Sequence, residues 1–161
     1  MNVGKKLAFA AVAAVSVAAL STTAQADRVK WKMHSAWGSS VPHLGTNAVR
    51  FADNIGRMSG GDFEVKFFEP GALIPANEGF DATSKGSIEM AWTTAGYDTG
   101  KYPALSFFTA VPFGPSIGEY MAWMKFGGGD DLEAEIYAKH GIKEIDCLAI
   151  GPETSGWFKE E

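Results

Sequence analysis

Val29-Lys30-Trp31-Lys32-Met33-His34-Ser35, Phe63-Glu64-Val65-Lys66-Phe67-Phe68 and Ile88-Glu89-Met90-Ala91-Trp92 are the runs on which the fold turns. Each alternates apolar with polar residues: Trp31 with Met33, then Phe63, Val65 and Phe67, then Ile88, Met90 and Trp92. A period of two predicts half-buried strands. Between the first two runs a helix opens at Val41-Pro42. Its Leu44, Ala48, Phe51, Ala52 and Ile55 recur at steps of three and four, which is one helical face. Pro42 suits a first helical position, and Gly60-Gly61 suits the end. Pro70-Gly71 is a turn, and Pro75 to Lys85 reads as a second, weaker helix with Gly86 behind it. Strand, helix, strand, helix, strand at this spacing predicts parallel strands covered by helices, an α/β domain. Ligands of such open sheets gather at the carboxyl ends of the strands. Those ends are expected at His34 to Trp37, Phe68 to Gly71 and Thr93 to Tyr97.

Further along, Gly96 to Pro115 is irregular. Pro103, Pro112 and Pro115 break any helix there, while Phe107, Phe108 and Phe113 call for burial. Ser116-Ile117-Gly118-Glu119 is a capping-box sequence that predicts a short helix to Phe126. Gly127-Gly128-Gly129 ends it, and Asp130 is the expected cap of another helix. That helix should bury Leu132, Ile136 and Tyr137 and close at Gly141. Ile142 to Ile150 reads as a strand, Gly151-Pro152 as a turn, and Thr154 to Phe158 as the start of another strand. Trp157-Phe158, an apolar pair inside that element, is followed only by Lys159-Glu160-Glu161. The expectation is the front part of a longer protein; a natural end with a frayed tail is the alternative.

Ahead of the first strand, Lys5 and Lys6 precede an apolar run from Leu7 to Leu20, and Ala24-Gln25-Ala26 precedes Asp27. This is the pattern of a secretory signal peptide over residues 1–26, cleaved after Ala26. The apolar run is shorter than the roughly 20 residues that span a bilayer, so a retained anchor is the weaker reading. No other long apolar run follows, so an exported protein, periplasmic in a Gram-negative cell, is expected. The whole chain of 161 residues carries 14 Lys plus Arg against 19 Asp plus Glu, a net charge of −5. Nucleic-acid binders are usually basic, so this balance argues against one. At 46% apolar the chain is too hydrophobic for a disordered segment. The single cysteine, Cys147, excludes an intramolecular disulfide and reads as a buried small hydrophobe.

Several constellations carry potential chemistry. Gly127-Gly128-Gly129 lacks the Lys-Ser/Thr pair of a phosphate loop and is flanked by Asp130 and Asp131, so a helix connector is the better reading. His34-Ser35 and His43 suggest a secreted hydrolase, but no Gly-x-Ser-x-Gly elbow accompanies them. The histidines His34, His43 and His140 show no zinc spacing. His34, at a strand end, either lines a site or is core. Trp37 and Tyr97 follow strands and either wall a pocket or pack inward. Thr94 either adds a hydroxyl to the same rim or is an ordinary strand residue. Gly151-Pro152-Glu153-Thr154-Ser155-Gly156-Trp157-Phe158 offers consecutive oxygens that suit a hard cation or a hydroxyl-bearing ligand, or is an exposed turn.

Trp31-Lys32-Met33-His34-Ser35, Ser59-Gly60-Gly61-Asp62-Phe63-Glu64-Val65, Phe67-Phe68-Glu69-Pro70-Gly71, Gly79-Phe80-Asp81-Ala82 and Gly86-Ser87-Ile88-Glu89-Met90 recur here in a characteristic order. With Ala110-Val111-Pro112-Phe113-Gly114 and Gly156-Trp157-Phe158, this order resembles the extracytoplasmic solute receptors of tripartite ATP-independent periplasmic (TRAP) transporters. It is most similar to their 2-oxo-acid and monocarboxylate branch. The resemblance implies a periplasmic binding protein-like α/β fold of two lobes closing over an organic anion. The first lobe would occupy residues 27–125, and residues 126–161 would begin the second. It implies a receptor rather than an enzyme, which delivers a small 2-oxo or 2-hydroxy acid to membrane permease subunits driven by an ion gradient. A C4-dicarboxylate is the alternative ligand. No cofactor is required, and a sodium or calcium ion bound with the substrate is compatible. The substrate-binding residues expected are Glu153, Tyr97, Trp37, Thr94 and His34, with Glu153 also the candidate metal ligand. Glu153 stands where that branch carries glutamine, which puts the keto-acid assignment in question, because a carboxylate beside an anionic ligand needs a cation or a proton. The arginine that grips the substrate carboxylate in the family is expected just beyond Phe158; Arg28, Arg50 and Arg57 do not match its position.

Overall fold

Strands β1 (Val29–Ser35), β2 (Phe63–Phe68) and β3 (Met90–Trp92) pair in parallel, with β1 in the centre of the order β2-β1-β3. The structure is a computed structural model that describes residues 28–147, 149–151 and 159. The expected signal segment 1–26 and the stretch from Pro152 to Phe158, Glu153 included, lie outside the described residues. In the ladder Trp31 stands opposite Val65 and Met33 opposite Phe67, while Met33 to Ser35 pair with Met90 to Trp92 on the other side. β1 is therefore exposed where it begins and fully buried at Met33, His34 and Ser35. The third strand is shorter than expected. Ahead of Met90 the Glu89 carboxylate accepts the Lys32 backbone N–H at 2.8 Å, and the Lys32 ammonium donates to the Ser87 carbonyl at 3.0 Å. Side chains thus make the bonds there that a longer ladder would have made.

Helix α1 (Leu44–Met58) lays its predicted face on the sheet. Ala48 and Ala52 bury with Met33 and Val65, and Phe51, Ile55, Phe63, Phe67, Met90 and Trp92 pack around them. The helix starts later than Pro42, after a turn in which His43 takes a left-handed φ of 61°. It ends at Ser59, where Gly60 and Gly61 adopt positive φ and turn the chain into β2. Of the second predicted helix only α2 (Gly79–Ser84) forms. Its Phe80 joins Ala95 and Leu105 in a second core, with Tyr102, Phe108, Ile136, Tyr137 and Ile142 around it. The irregular stretch after β3 contains two 3-10 turns, Ala95–Asp98 and Pro103–Phe108.

Helix α3 (Ile117–Phe126) carries the capping box read from sequence: Ser116 caps Glu119, and the Glu119 carboxylate accepts the Ser116 N–H at 2.9 Å. Helix α4 (Gly129–Ala138) corrects two expectations. Its cap is Gly128, left-handed at φ 88°, so Asp130 sits in the first turn and pairs with Lys125 at 2.8 Å. Leu132 is 54% exposed and Glu133 is 4% exposed, because that register directs Glu133, with Ile136 and Tyr137, toward the interior. Gly141 ends the segment at φ 70° as expected. The expected strand from Ile142 to Ile150 is not formed among the described residues, and Cys147 is exposed rather than buried. A strand needs a ladder partner, and none of the described strands pairs with this stretch. No helix among the described residues is long and apolar enough to cross a membrane.

Candidate functional site

The carboxyl ends of the three strands carry most of the sequence-predicted site residues to one edge of the sheet. At the end of β1 the Ser35 hydroxyl donates to the Trp37 carbonyl at 2.7 Å and accepts the Trp37 N–H at 3.2 Å. This local turn, of the kind serine side chains stabilise, fixes the direction in which Trp37 leaves the strand. His34 is wholly buried. Its ring lies 3.7 Å from where a Cβ on Gly79 would stand, under the start of α2. Nε2 is 3.4 Å from the Ala76 carbonyl, and Nδ1 has no partner among the described residues. Successive strand residues point to opposite faces, so His34 and Ser35 cannot act as a base and nucleophile pair, and the serine hydroxyl is already engaged. The hydrolase arrangement considered from sequence is absent.

After β3, Thr94 caps the first 3-10 turn by accepting the Gly96 N–H at 3.3 Å, and its hydroxyl lies 3.3 Å from that of Thr109. A Cβ on Gly96 would stand 3.0 Å from the Thr109 hydroxyl, so the turn is close-packed against that threonine. The turn carries Tyr97, which is 47% exposed. Its ring faces the half-buried Trp37 at 6.1 Å between centroids, tilted by 38°. The structure therefore brings Trp37 and Tyr97 together, with Thr94 holding the turn of the second. Thr109 was not singled out in the sequence, where nothing marks a lone threonine in an irregular loop.

At the end of β2 stands Glu69, also missed as a site residue. Its carboxylate accepts the Ser39 hydroxyl at 2.6 Å and the Ser39 N–H at 3.0 Å. Lys101 donates to the Asp81 carboxylate at 2.6 Å, which holds Asp81 below the usual carboxylate range and Lys101 above the usual lysine range. Burial pushes Asp98 up, because loss of water disfavours its charged form. The cations that grip carboxylates best are absent from this edge. Arg28 precedes β1 and Arg57 lies in the last turn of α1, both at the opposite, amino edge of the strands, while Arg50 is exposed on α1. Among the described residues no group of three or more His, Cys, Asp or Glu side chains is placed to hold a metal ion. Aromatic faces with hydroxyls beside them can shield and orient a small ligand.

The parallel α/β unit with aromatic side chains at its carboxyl edge has the fold of TRAP solute-binding proteins. Residues 34–155 match the family described as bacterial extracellular solute-binding protein, family 7, and the chain belongs to it. A monocarboxylate 2-oxoacid-binding periplasmic protein from Nostoc sp. PCC 7120 is 34% identical over 94% of this chain and 44% of its own length. A TRAP transporter solute-binding protein of Bordetella bronchiseptica RB50, seen with calcium and picolinate, is 31% identical with a TM-score of 0.66, over 70% of this chain and 33% of that one. One from Pseudoalteromonas atlantica T6c, with bound sodium and pyruvate, is 30% identical with a TM-score of 0.67, over 71% and 35%. The chain thus spans less than half the length of these relatives. The resemblance to TRAP receptors and the periplasmic binding protein-like fold read from the sequence are both borne out.

Proposed function

We propose that this chain forms one wall of a periplasmic receptor cleft for a small 2-oxo or 2-hydroxy monocarboxylate, which the receptor delivers to a TRAP permease. The observation that carries the reading is the Trp37–Tyr97 pair at the carboxyl edge of the parallel sheet. It is the place where open α/β sheets bind ligands. The Nostoc relative, named for 2-oxoacids, supports the ligand class. Residues 1–26 are the export signal, cleaved after Ala26. Residues 27–125 form the first lobe, and residues 126–161 begin the second.

In this reading Trp37 and Tyr97 cover the apolar part of the ligand and exclude water. Thr94 supports the Tyr97 turn beside the ligand's oxygens, and His34 fills the floor under α2. Glu153 contacts the substrate or, with it, a sodium or calcium ion such as the Pseudoalteromonas and Bordetella relatives hold. A carboxylate there is compatible with an anionic ligand when a cation lies between them.

Calorimetric titration with pyruvate, lactate and succinate tests the proposal. A protein of the relatives' length should bind the monocarboxylates more tightly than succinate, and residues 27–161 alone should bind none. Trp37→Ala and Tyr97→Ala should each weaken binding roughly five- to thirtyfold, about 1–2 kcal/mol, as loss of an aromatic wall implies. Equal binding by the short and long chains, or unchanged affinity in both variants, would overturn it.

A further inference from the structure

We infer that Glu69 is a positioning residue for this wall: it never meets the ligand, but its carboxylate clamps the loop that presents Trp37. The inference rests on the receptor reading above and deepens it. Glu69 is the residue on which β2 runs out. Pro70 follows and restricts its backbone to extended conformations. The Ala72 N–H then closes the turn onto the Glu69 carbonyl at 3.0 Å, with Gly71 at a left-handed φ of 79°. The side chain thus leaves a fixed platform. It reaches sideways to the neighbouring loop between β1 and α1, where one oxygen accepts the Ser39 hydroxyl and the other the Ser39 N–H, at 2.6 and 3.0 Å. The Glu69 carboxylate also packs beside Gly38, where a Cβ would stand 3.5 Å from it, in ordinary van der Waals contact.

The loop is gripped from its other side as well. The Gly38 carbonyl accepts the Val41 N–H at 2.9 Å and lies directly against Gly45 of α1. Trp37 is the residue immediately before Gly38. Its own backbone is tied to Ser35 on one side, and the chain beyond it is held between α1 and Glu69. Both carboxylate oxygens are occupied by donors from a single residue, and Glu69 forms no ion pair among the described residues. A carboxylate used in this way orders a loop. One turned toward an anionic ligand would repel it.

The test uses the protein of the relatives' length and its Glu69→Ala, Glu69→Gln, Ser39→Ala and Glu69→Ala/Ser39→Ala variants, with pyruvate as the probe. Each alanine variant should bind roughly tenfold more weakly, because the ligand must then order the Trp37 loop itself on binding. The double variant should be no worse than either single one, since both remove the same interaction. Glu69→Gln keeps one acceptor and should recover part of the loss. Acrylamide quenching of Trp37, isolated by subtracting a Trp37→Phe background, should rise in Glu69→Ala with no ligand present. Affinity within twofold of the parent in Glu69→Ala, additive losses in the double variant, or unchanged Trp37 quenching would overturn the clamp. A parent that binds no small carboxylate would refute the receptor reading instead, and the quenching would still decide whether Glu69 holds the loop.

Discussion

Replacing Gly45 by alanine separates a loop packed against a helix from a helix that merely contains a glycine. In an open helix Gly→Ala is stabilising, because alanine is better by about 1 kcal/mol in intrinsic propensity. At Gly45 the added Cβ would lie 1.8 Å from the Gly38 carbonyl oxygen, 2.8 Å from its carbon and 3.1 Å from the Ser39 carbonyl carbon. These obstacles are backbone atoms, so no side chain can rotate away, and the loop or the helix must move by roughly 1 Å. Overpacking of this kind costs about 1–3 kcal/mol, and a backbone clash belongs at the upper end. Set against the propensity gain, the net loss is about 2 kcal/mol. With a urea slope of about 1.5 kcal/mol/M the midpoint should fall by about 1.3 M. Gly56, eleven residues further along the same helix, is the control. Its Cβ would meet only the Phe63 carbonyl oxygen, at 3.9 Å. Gly56→Ala should therefore raise the midpoint by about 0.3–0.7 M. Urea unfolding followed by circular dichroism reads both. Shifts of the same sign would refute the claim that Gly38 and Gly45 are in obligatory contact.

Ser116→Ala should destabilise the protein by about 1 kcal/mol through loss of the capping box, and Ser116→Asp should restore most of it, as read by thermal unfolding. Burial, with Asp146, Glu144 and Asp130 nearby, raises the Glu133 carboxyl from 4.5 to about 8. The unfolded chain therefore gives up this proton first, and stability should fall as pH rises from about 4.5 to 8. Glu133→Gln cannot ionise, so it should gain on the parent steadily over that window, by about 5 kcal/mol at pH 8.5. Parallel pH profiles of midpoint in parent and variant would contradict the burial of Glu133.

The first helix was legible because it buries one face, and the strands because their large apolar residues recur at every second position. Met33, Val65, Ala48 and Ala52 are both the sequence pattern and the observed core. The capping box was legible for a related reason: its bonds join Ser116 to Glu119, close in sequence. Asp130 misled because aspartate is a good cap by type. Gly128, in the left-handed conformation open to glycine, turned the chain two residues earlier and rotated Glu133 into the place expected of Leu132. The stretch from Ile142 to Ile150 has the composition of a strand, but a ladder needs a neighbour as well as a propensity. Glu69 and Thr109 escaped notice because their partners, Ser39 and Thr94, are remote in sequence. Trp37 and Tyr97 were found from the rule that sheets bind at their carboxyl edge, which says where loops converge and not which atoms meet.

On the receptor reading proposed above, that edge also constrains how an acid would be held. Moving a carboxylate out of water costs several kcal/mol unless a cation or several donors meet it. The Trp37–Tyr97 pair offers aromatic contact worth on the order of 1 kcal/mol, which cannot offset that cost. Lys101 is the nearest cation in sequence to Tyr97, and it is committed to Asp81 at 2.6 Å with Asp98 beside it. Freeing it would leave Asp81 without its counterion. The Glu69 carboxylate already accepts one donor on each oxygen from Ser39. The described wall therefore supplies shape, water exclusion and a fixed aromatic surface, whereas the charge that balances the acid has to come from a surface facing it. On that reading two such surfaces would become effective together on closing, when the aromatic faces would strip water from the ligand and lower the local dielectric in which its countercharge acts. Holding Trp37 in place before closure, as Glu69 does, reduces what remains to be ordered when the ligand arrives.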